Sequence, residues 1–286
     1  MKQRKSKAGT SSSCAFCGST SGFSKKHVWP QWLRPYAGEL EPRRSTHSYG
    51  FGQTDRETFT ELPTITVEQP GSVLSMTTRE VWGTCNNGWM SRLEMQARTL
   101  LVPLMDAASV RQVTTIEPDD AARLATWAVK TAWMRELSAS SVSQQSKLYL
   151  YLRTQLLPPP DSSIWIGRHS GLRNFDILQA KIDIRHRDLP WNHGEIRNAL
   201  RTNLTFRELS LLVHTVNGPG TPAQERDPER WLRLWPASAT LRFPPRFAVS
   251  DSDVWESVAI QAPYLRVPDL PHFRRDRAGP QTRRRN

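Results

Sequence analysis

The stretch Cys14–Pro30, CAFCGSTSGFSKKHVWP, holds two of the chain's three cysteines; the third, Cys85, stands in WGTCNNGWM. Two thiolates in a CxxC turn point at a common centre and supply two of the four corners of a tetrahedral zinc site. Gly18 follows at once, as the turn of such a knuckle favours. A second CxxC would complete the set, but the place of its first cysteine is taken by Trp82, and an indole cannot ligate zinc. Two outcomes stay open: three cysteines with an outside ligand such as His47, or a knuckle given over to apolar packing. A redox role for Cys14 and Cys17 calls for a thioredoxin-like βαβ setting, and the flanking sequence shows none.

Around this stretch lies a chain of 286 residues with a formal charge of +12. That length buries a sizeable core and favours two unequal parts. Three cysteines do not make a disulfide framework. Residues 1–13 are basic and polar with no apolar run behind them, unlike a secretory signal. No stretch approaches the ~20 consecutive apolar residues of a membrane helix. The expectation is therefore a cytoplasmic protein with no membrane partner. Lys2, Arg4, Lys5 and Lys7 give the first 13 residues four positive charges, and six arginines against Asp276 give His272–Asn286 a net five. The charge thus concentrates in two tails that cannot pack a core, read as disordered and able to hold a polyanion loosely.

Between the tails the character of the sequence changes at Asn86. Upstream it is rich in Gly, Pro, Ser and Thr, and TFTELPTITVEQ and SVLSMTTREVW alternate as half-buried strands do. Downstream, NNGWMSRLEMQARTLLVPLM sets Trp89, Leu93, Ala97, Leu100, Leu101 and Leu104 on one face of a helix expected to begin at Asn86 or Asn87 and to end near Pro103. EPDDAARLATWAVKTAWMRELS reads as a second helix with acids in its first turn, and SQQSKLYLYLRTQLLPPP as a third, closed by prolines. SSIWIGRH, DILQAKIDIRH and LSLLVHTV read as strands, and beyond Trp235 the chain reads as extended. The fold class is α+β. Trp29, Trp32, Trp89, Trp127 and Trp133 are expected in the core.

Taken in order, CxxC, SKKHVWPQWL and TCNNGWMSRLE resemble the HNH endonuclease superfamily, in the branch reading CxxC, then S-x-E-H-V-x-P-x-W-L, then CxxCNNGWMSxLE. LATWAVKTA is similar to the helix that follows the nuclease core there. The resemblance covers the chain to about Leu137. It implies a ββα-metal fold braced by a zinc knuckle, and with it an organisation into a basic tail (1–13), a nuclease-like domain (14–105), an α+β accessory domain (106–265) and a second basic tail (266–286).

The implied activity is metal-dependent hydrolysis of DNA phosphodiester bonds. His27 is then the general base that takes a proton from water near neutral pH. Asn86 is a ligand of Mg²⁺ or another divalent cation, and at a helix start it also suits phosphate. Cys14, Cys17 and Cys85 hold a structural Zn²⁺. Lys25, Lys26, Arg43 and Arg44 are the expected nucleic-acid contacts, with Arg34 in the same loop. The chain departs from the pattern at Lys26, where the family places an acid that binds the cation. Asp55, Glu57 or Glu94 could supply the missing carboxylate, or Lys26 could clamp the phosphate itself. The alternative is a degenerate member that keeps the fold and binds nucleic acid without cutting it.

Overall fold

The computed structural model describes residues 13–20, 22–37, 44–54, 59–70, 72–138, 146–172, 175–184, 197–216 and 225–258. Of the expected tails, 1–13 lies outside these residues apart from Ser13, and 266–286 lies outside them entirely. The structure is α+β, as the sequence indicates. Among the described residues no helix is long and apolar enough to cross a membrane.

Two strands frame the cysteine-rich region. β1 (Phe23–His27) pairs antiparallel with β4 (Thr77–Trp82), matching Lys26 with Thr78 and His27 with Thr77. The register slips there: Ser24 pairs with Val81 and Lys26 with Thr78, so Arg79 and Glu80 of β4 stand opposite Lys25 alone and the extra residue of the bulge is on β4. After β1 come a 3₁₀ turn (Gln31–Leu33) and α1 (Arg34–Ala37). Between α1 and β4, the hairpin of β2 (Arg44–Thr54) and β3 (Phe59–Pro70) leaves this pair and joins the large sheet described below.

The helix after β4 begins earlier than its asparagines imply. It opens at Gly83, with α2 (Gly83–Cys85) running through a π turn (Asn86–Met90) into α3 (Ser91–Val110). Gly83 donates its amide to Gly22 O at 2.9 Å, so the turn is started by a backbone bond from the preceding loop and not by an asparagine cap. The chain kinks at Gly88, whose φ of −90° and ψ of −110° no helix contains. Nor does α3 stop at Pro103. That residue is exposed, and Leu104, Met105, Ala107 and Ala108 beyond it are buried, so continued burial offsets the one hydrogen bond the proline removes. The helix ends where Arg111 turns left-handed, at φ 56°.

α4 (Pro118–Ser138) carries acids at Asp119 and Asp120 in its first turn, where they complement the helix dipole. From Leu124 to Leu137 every residue is buried, so the expected one-sided stripe is a helix enclosed on all sides. Lys130 and Glu136 are among the enclosed residues and must therefore be paired. α5 (Ser146–Gln155) follows, and Tyr149 on it donates to Glu136 at 3.0 Å.

The second half is built on a seven-stranded sheet. Its order is β10 (Leu232–Trp235), β6 (Ser163–Arg168), β9 (Leu209–Val216), β8 (Arg197–Phe206), β7 (Phe175–Ile184), β2 and β3. All pairs are antiparallel except β2 with β7. Every residue of β9 is buried, as suits a central strand covered on both faces. β5 (Thr114–Ile116) and β11 (Leu241–Phe243) form a separate two-stranded ladder. The segment beyond Trp235 is not simply extended, since it supplies β11 and α6 (Asp251–Val258), whose Val254 and Val258 pack on the sheet's other face with Trp165 and Trp231.

One core cluster extends from Cys14 to Phe243. At its centre Trp29 lies edge-on to Phe206 at 5.6 Å and 6.3 Å from Trp127. Trp29, Trp89, Trp127 and Trp133 are buried as expected, while Trp32 is only half-buried. Burial of Trp29 anchors the end of β1 two residues past His27, which fixes where that imidazole can be.

Candidate functional site

The CxxC segment forms a tight turn. Gly18 donates its amide to Cys14 O at 2.8 Å, and its φ of 69° is the left-handed value that glycine adopts without strain. Phe16, fully buried, meets Trp89 at 5.5 Å and Tyr149 at 5.0 Å, which fastens the turn to α5 and to the π turn after Cys85. The ligating atoms of Cys14, Cys17 and Cys85 all lie within 4.8 Å of one another. The Cys85 thiol donates to Cys14, and the backbone amides of Trp82, Phe16 and Cys17 do the same; against the opposing effect of burial they draw the Cys14 thiol down to about 5. Cys85 is pushed up in turn, first by sharing its proton with Cys14 and then by burial. The Cys14 sulfur, surrounded by amide donors, is prepared to be a thiolate, and three sulfurs this close together could hold a metal ion such as zinc.

Among the described residues, no other group of three His, Cys, Asp or Glu side chains is close enough to hold a metal. Trp82 is 1% exposed and belongs to the core, so the position of the absent thiolate is filled by packing. His47 lies on β2, where it pairs with Val67 in the seven-stranded sheet.

Beside the knuckle lies a cleft of about 410 Å³ lined by Lys25, Lys26, His27, Asn86, Glu94 and Arg98, among others. A regular strand sends successive side chains to opposite faces. Lys25, Lys26 and His27 nevertheless all line this one cleft, at the point where the ladder with β4 is irregular. Ser91, Glu94 and Arg98 come from the facing side of α3 at spacings of three and four. His27 and Asn86 therefore share a cavity, although 59 positions separate them in the chain.

His27 is partly exposed, and Gln31 Nε2 approaches its Nδ1 at 3.1 Å. Its pKa is lowered from the ordinary value, first by burial and then by the positive charges of Arg34, Lys25 and Lys26. The ring is accordingly neutral at pH 7 and able to accept a proton. Asn86 differs from its expected role at a helix start. Its amide donates to Gly83 O and is not free for an anion, while its side-chain Nδ2 donates to Ser24 Oγ at 2.6 Å.

Lys26 is 8% exposed. Its Nζ lies 2.8 Å from Glu94 Oε1, and Lys130 Nζ lies 2.8 Å from the same oxygen. Burial raises the Glu94 carboxyl, but Lys130 and Lys26 outweigh it and hold the group below its usual value. Burial lowers Lys130 more than Glu94 restores it. Of the three carboxylates that could have replaced the missing acid, Glu94 is the one found in the cleft; Asp55 and Glu57 lie outside the described residues. With two ammonium groups on its one acid, the cleft does not fit a divalent cation.

Lys25 lines the cleft; Arg34 sits in α1; Arg44 opens β2, paired with Pro70; and Arg43 lies outside the described residues. Lys130 is the site residue that sequence reasoning missed. It sits in a helix that reads as packing, and its only advance signal was a lysine in the middle of the apolar run LATWAVKTAWM. Comparison with family models, with curated proteins and with solved structures finds no match.

Proposed function

We propose that the protein acts on nucleic-acid phosphodiester bonds as a hydrolase of the HNH type, with DNA as substrate and His27 as general base. The observation that carries this reading is the convergence of His27 and Asn86 on one cation-lined cleft beside a three-cysteine knuckle. In the step itself, neutral His27 accepts a proton from water, the water oxygen bonds to phosphorus, the bond to the 3′ oxygen breaks, and that oxygen is protonated from solvent. The depressed pKa of His27 supports its role as base, and the two-stranded ladder leading into α2 and α3 supports the ββα resemblance. Zinc at Cys14, Cys17 and Cys85, with a fourth ligand from solvent or elsewhere, is the structural metal of this reading.

A second reading is favoured by the ion cluster at Glu94. Because Lys26 and Lys130 occupy the one carboxylate of the cleft, a member that binds nucleic acid without cutting it accounts for the same geometry. A cleavage assay on plasmid, single-stranded DNA and RNA, run with Mg²⁺, Mn²⁺, Ni²⁺ and chelator, separates the two. Nicking or linearisation of plasmid supports the hydrolase; DNA binding with intact substrate under every condition supports the silent binder.

A further inference from the structure

We infer that Lys26, Glu94 and Lys130 form a phosphate-oxyanion site, through which the cleft takes a nucleic-acid phosphate by ammonium groups and without a divalent cation. The inference takes its ligand class from the phosphodiester reading above, but it does not depend on cleavage.

The two Nζ atoms share a single carboxylate oxygen at 2.8 Å each, and the side chains of Lys26, Glu94 and Lys130 are 10%, 13% and 0% exposed. One carboxylate compensates one ammonium, so the cluster retains a positive charge in a place where water compensates it poorly. Lys25 from β1 and Arg98 from α3 add to it, and Glu94 is the sole acid among the lining residues described. A cleft of this charge attracts an anion.

The three residues divide the work by depth. Lys130, on enclosed α4, holds Glu94 from behind. Glu94 holds Lys26 at the wall of the cleft, in the strand that also carries His27. Lys26 is therefore the group that contacts the ligand, through a charge-assisted hydrogen bond to a non-bridging phosphate oxygen, and Glu94 and Lys130 are positioning residues. A divalent cation in the same place would meet two ammonium groups on its one carboxylate ligand, whereas Mg²⁺ demands a shell of six oxygens.

The test measures binding of the full chain to a short fluorescent DNA duplex by anisotropy, at constant ionic strength, in EDTA and in Mg²⁺. The wild type is expected to bind at least as tightly in EDTA as in Mg²⁺. Lys26→Gln should weaken binding about tenfold, the loss of one charge-assisted bond, and Lys26→Arg should restore it. The basic tails are common to all three proteins and cancel in the ratios. Binding that Mg²⁺ tightens, or a Lys26→Gln protein that binds like the wild type, overturns the inference. A calorimetric titration of Mn²⁺ into the wild type without DNA is decisive even if Lys26→Gln fails to fold: no uptake supports the oxyanion site, and a stoichiometric Mn²⁺ site that Glu94→Gln abolishes refutes it. Failure of the hydrolase reading shows differently, as absent cleavage with this binding pattern intact.

Discussion

Asn86 donates from Nδ2 to Ser24 Oγ at 2.6 Å, a bond that ties the start of the long helix to the strand carrying His27 across 62 positions of sequence. A part-buried bond of this kind contributes on the order of 1 kcal/mol, so Ser24→Ala and Asn86→Ala should each lower unfolding free energy by about that amount. The double variant should cost less than the sum of the two, and urea denaturation of all four proteins measures the coupling. Additive losses would mean that the contact contributes nothing.

The state of His27 is set by its neighbours. Burial acts first, and Arg34, Lys25 and Lys26 add to the lowering of its pKa. If His27 is the base, kcat/KM should rise with pH and level off with an apparent pKa below the ordinary 6.5 of histidine. Arg34→Gln removes a positive charge, raises that pKa, and so slows cleavage at pH 6 while leaving the plateau unchanged. A profile that Arg34→Gln does not move would assign the acid limb to another group.

The knuckle makes a separate prediction. Native mass spectrometry of protein grown with zinc should find one ion per chain, and Cys85→Ser should lose it. Because metal-binding energy is folding energy in a site the unfolded chain lacks, that variant should also melt roughly 5–10 °C lower. A metal-free wild type whose melting temperature equals that of Cys85→Ser would show the three sulfurs to be packing alone.

Acid sensitivity should come from the opposite face of the sheet. His214 is 4% exposed, and burial, then Arg201 and Arg226, bring its pKa down to about 3. The folded protein keeps it neutral while the unfolded chain takes up a proton below about pH 6.5, so stability falls as pH drops from about 6.5 towards 3. This single group accounts for a loss of about 2 kcal/mol at pH 5. His214→Gln keeps an acceptor for Arg201, whose Nε lies 3.3 Å from His214 Nδ1, and should flatten the slope by about one proton. An unchanged slope in urea titrations between pH 7 and 5 would assign the proton uptake elsewhere.

What could be read in advance followed from local chemistry. The apolar period of α3 and α4, the prolines after α5 and the Ile- and Val-rich runs of β6 and β9 each carry their signal within a few residues. β8 carried none, because Arg197, Asn198, Arg201 and Asn203 make RNALRTNLTF look exposed. Its buried polar groups are satisfied only in the folded sheet, where Asn203 donates to Ser210 Oγ at 2.8 Å and accepts from Thr205 at 2.8 Å. The convergence of Cys14, Cys17 and Cys85 was legible from spacing and resemblance, and His27 with Asn86 from resemblance alone. The Lys26–Glu94–Lys130 cluster was not, since it joins three elements whose contact depends on how α4 lies against α3 and β1. Lys26 read as an isolated departure in sequence and proves to be one member of a buried ion group.

If the protein is a hydrolase, His27 performs the chemistry on a phosphodiester held in this cleft. The most direct test is the rate of plasmid nicking by His27→Ala beside the wild type, with DNA affinity measured on the same preparations. Cleavage should be at least a hundredfold slower, on the order expected for loss of a general base, with unchanged affinity. A His27→Ala protein that cuts at the wild-type rate would contradict this role.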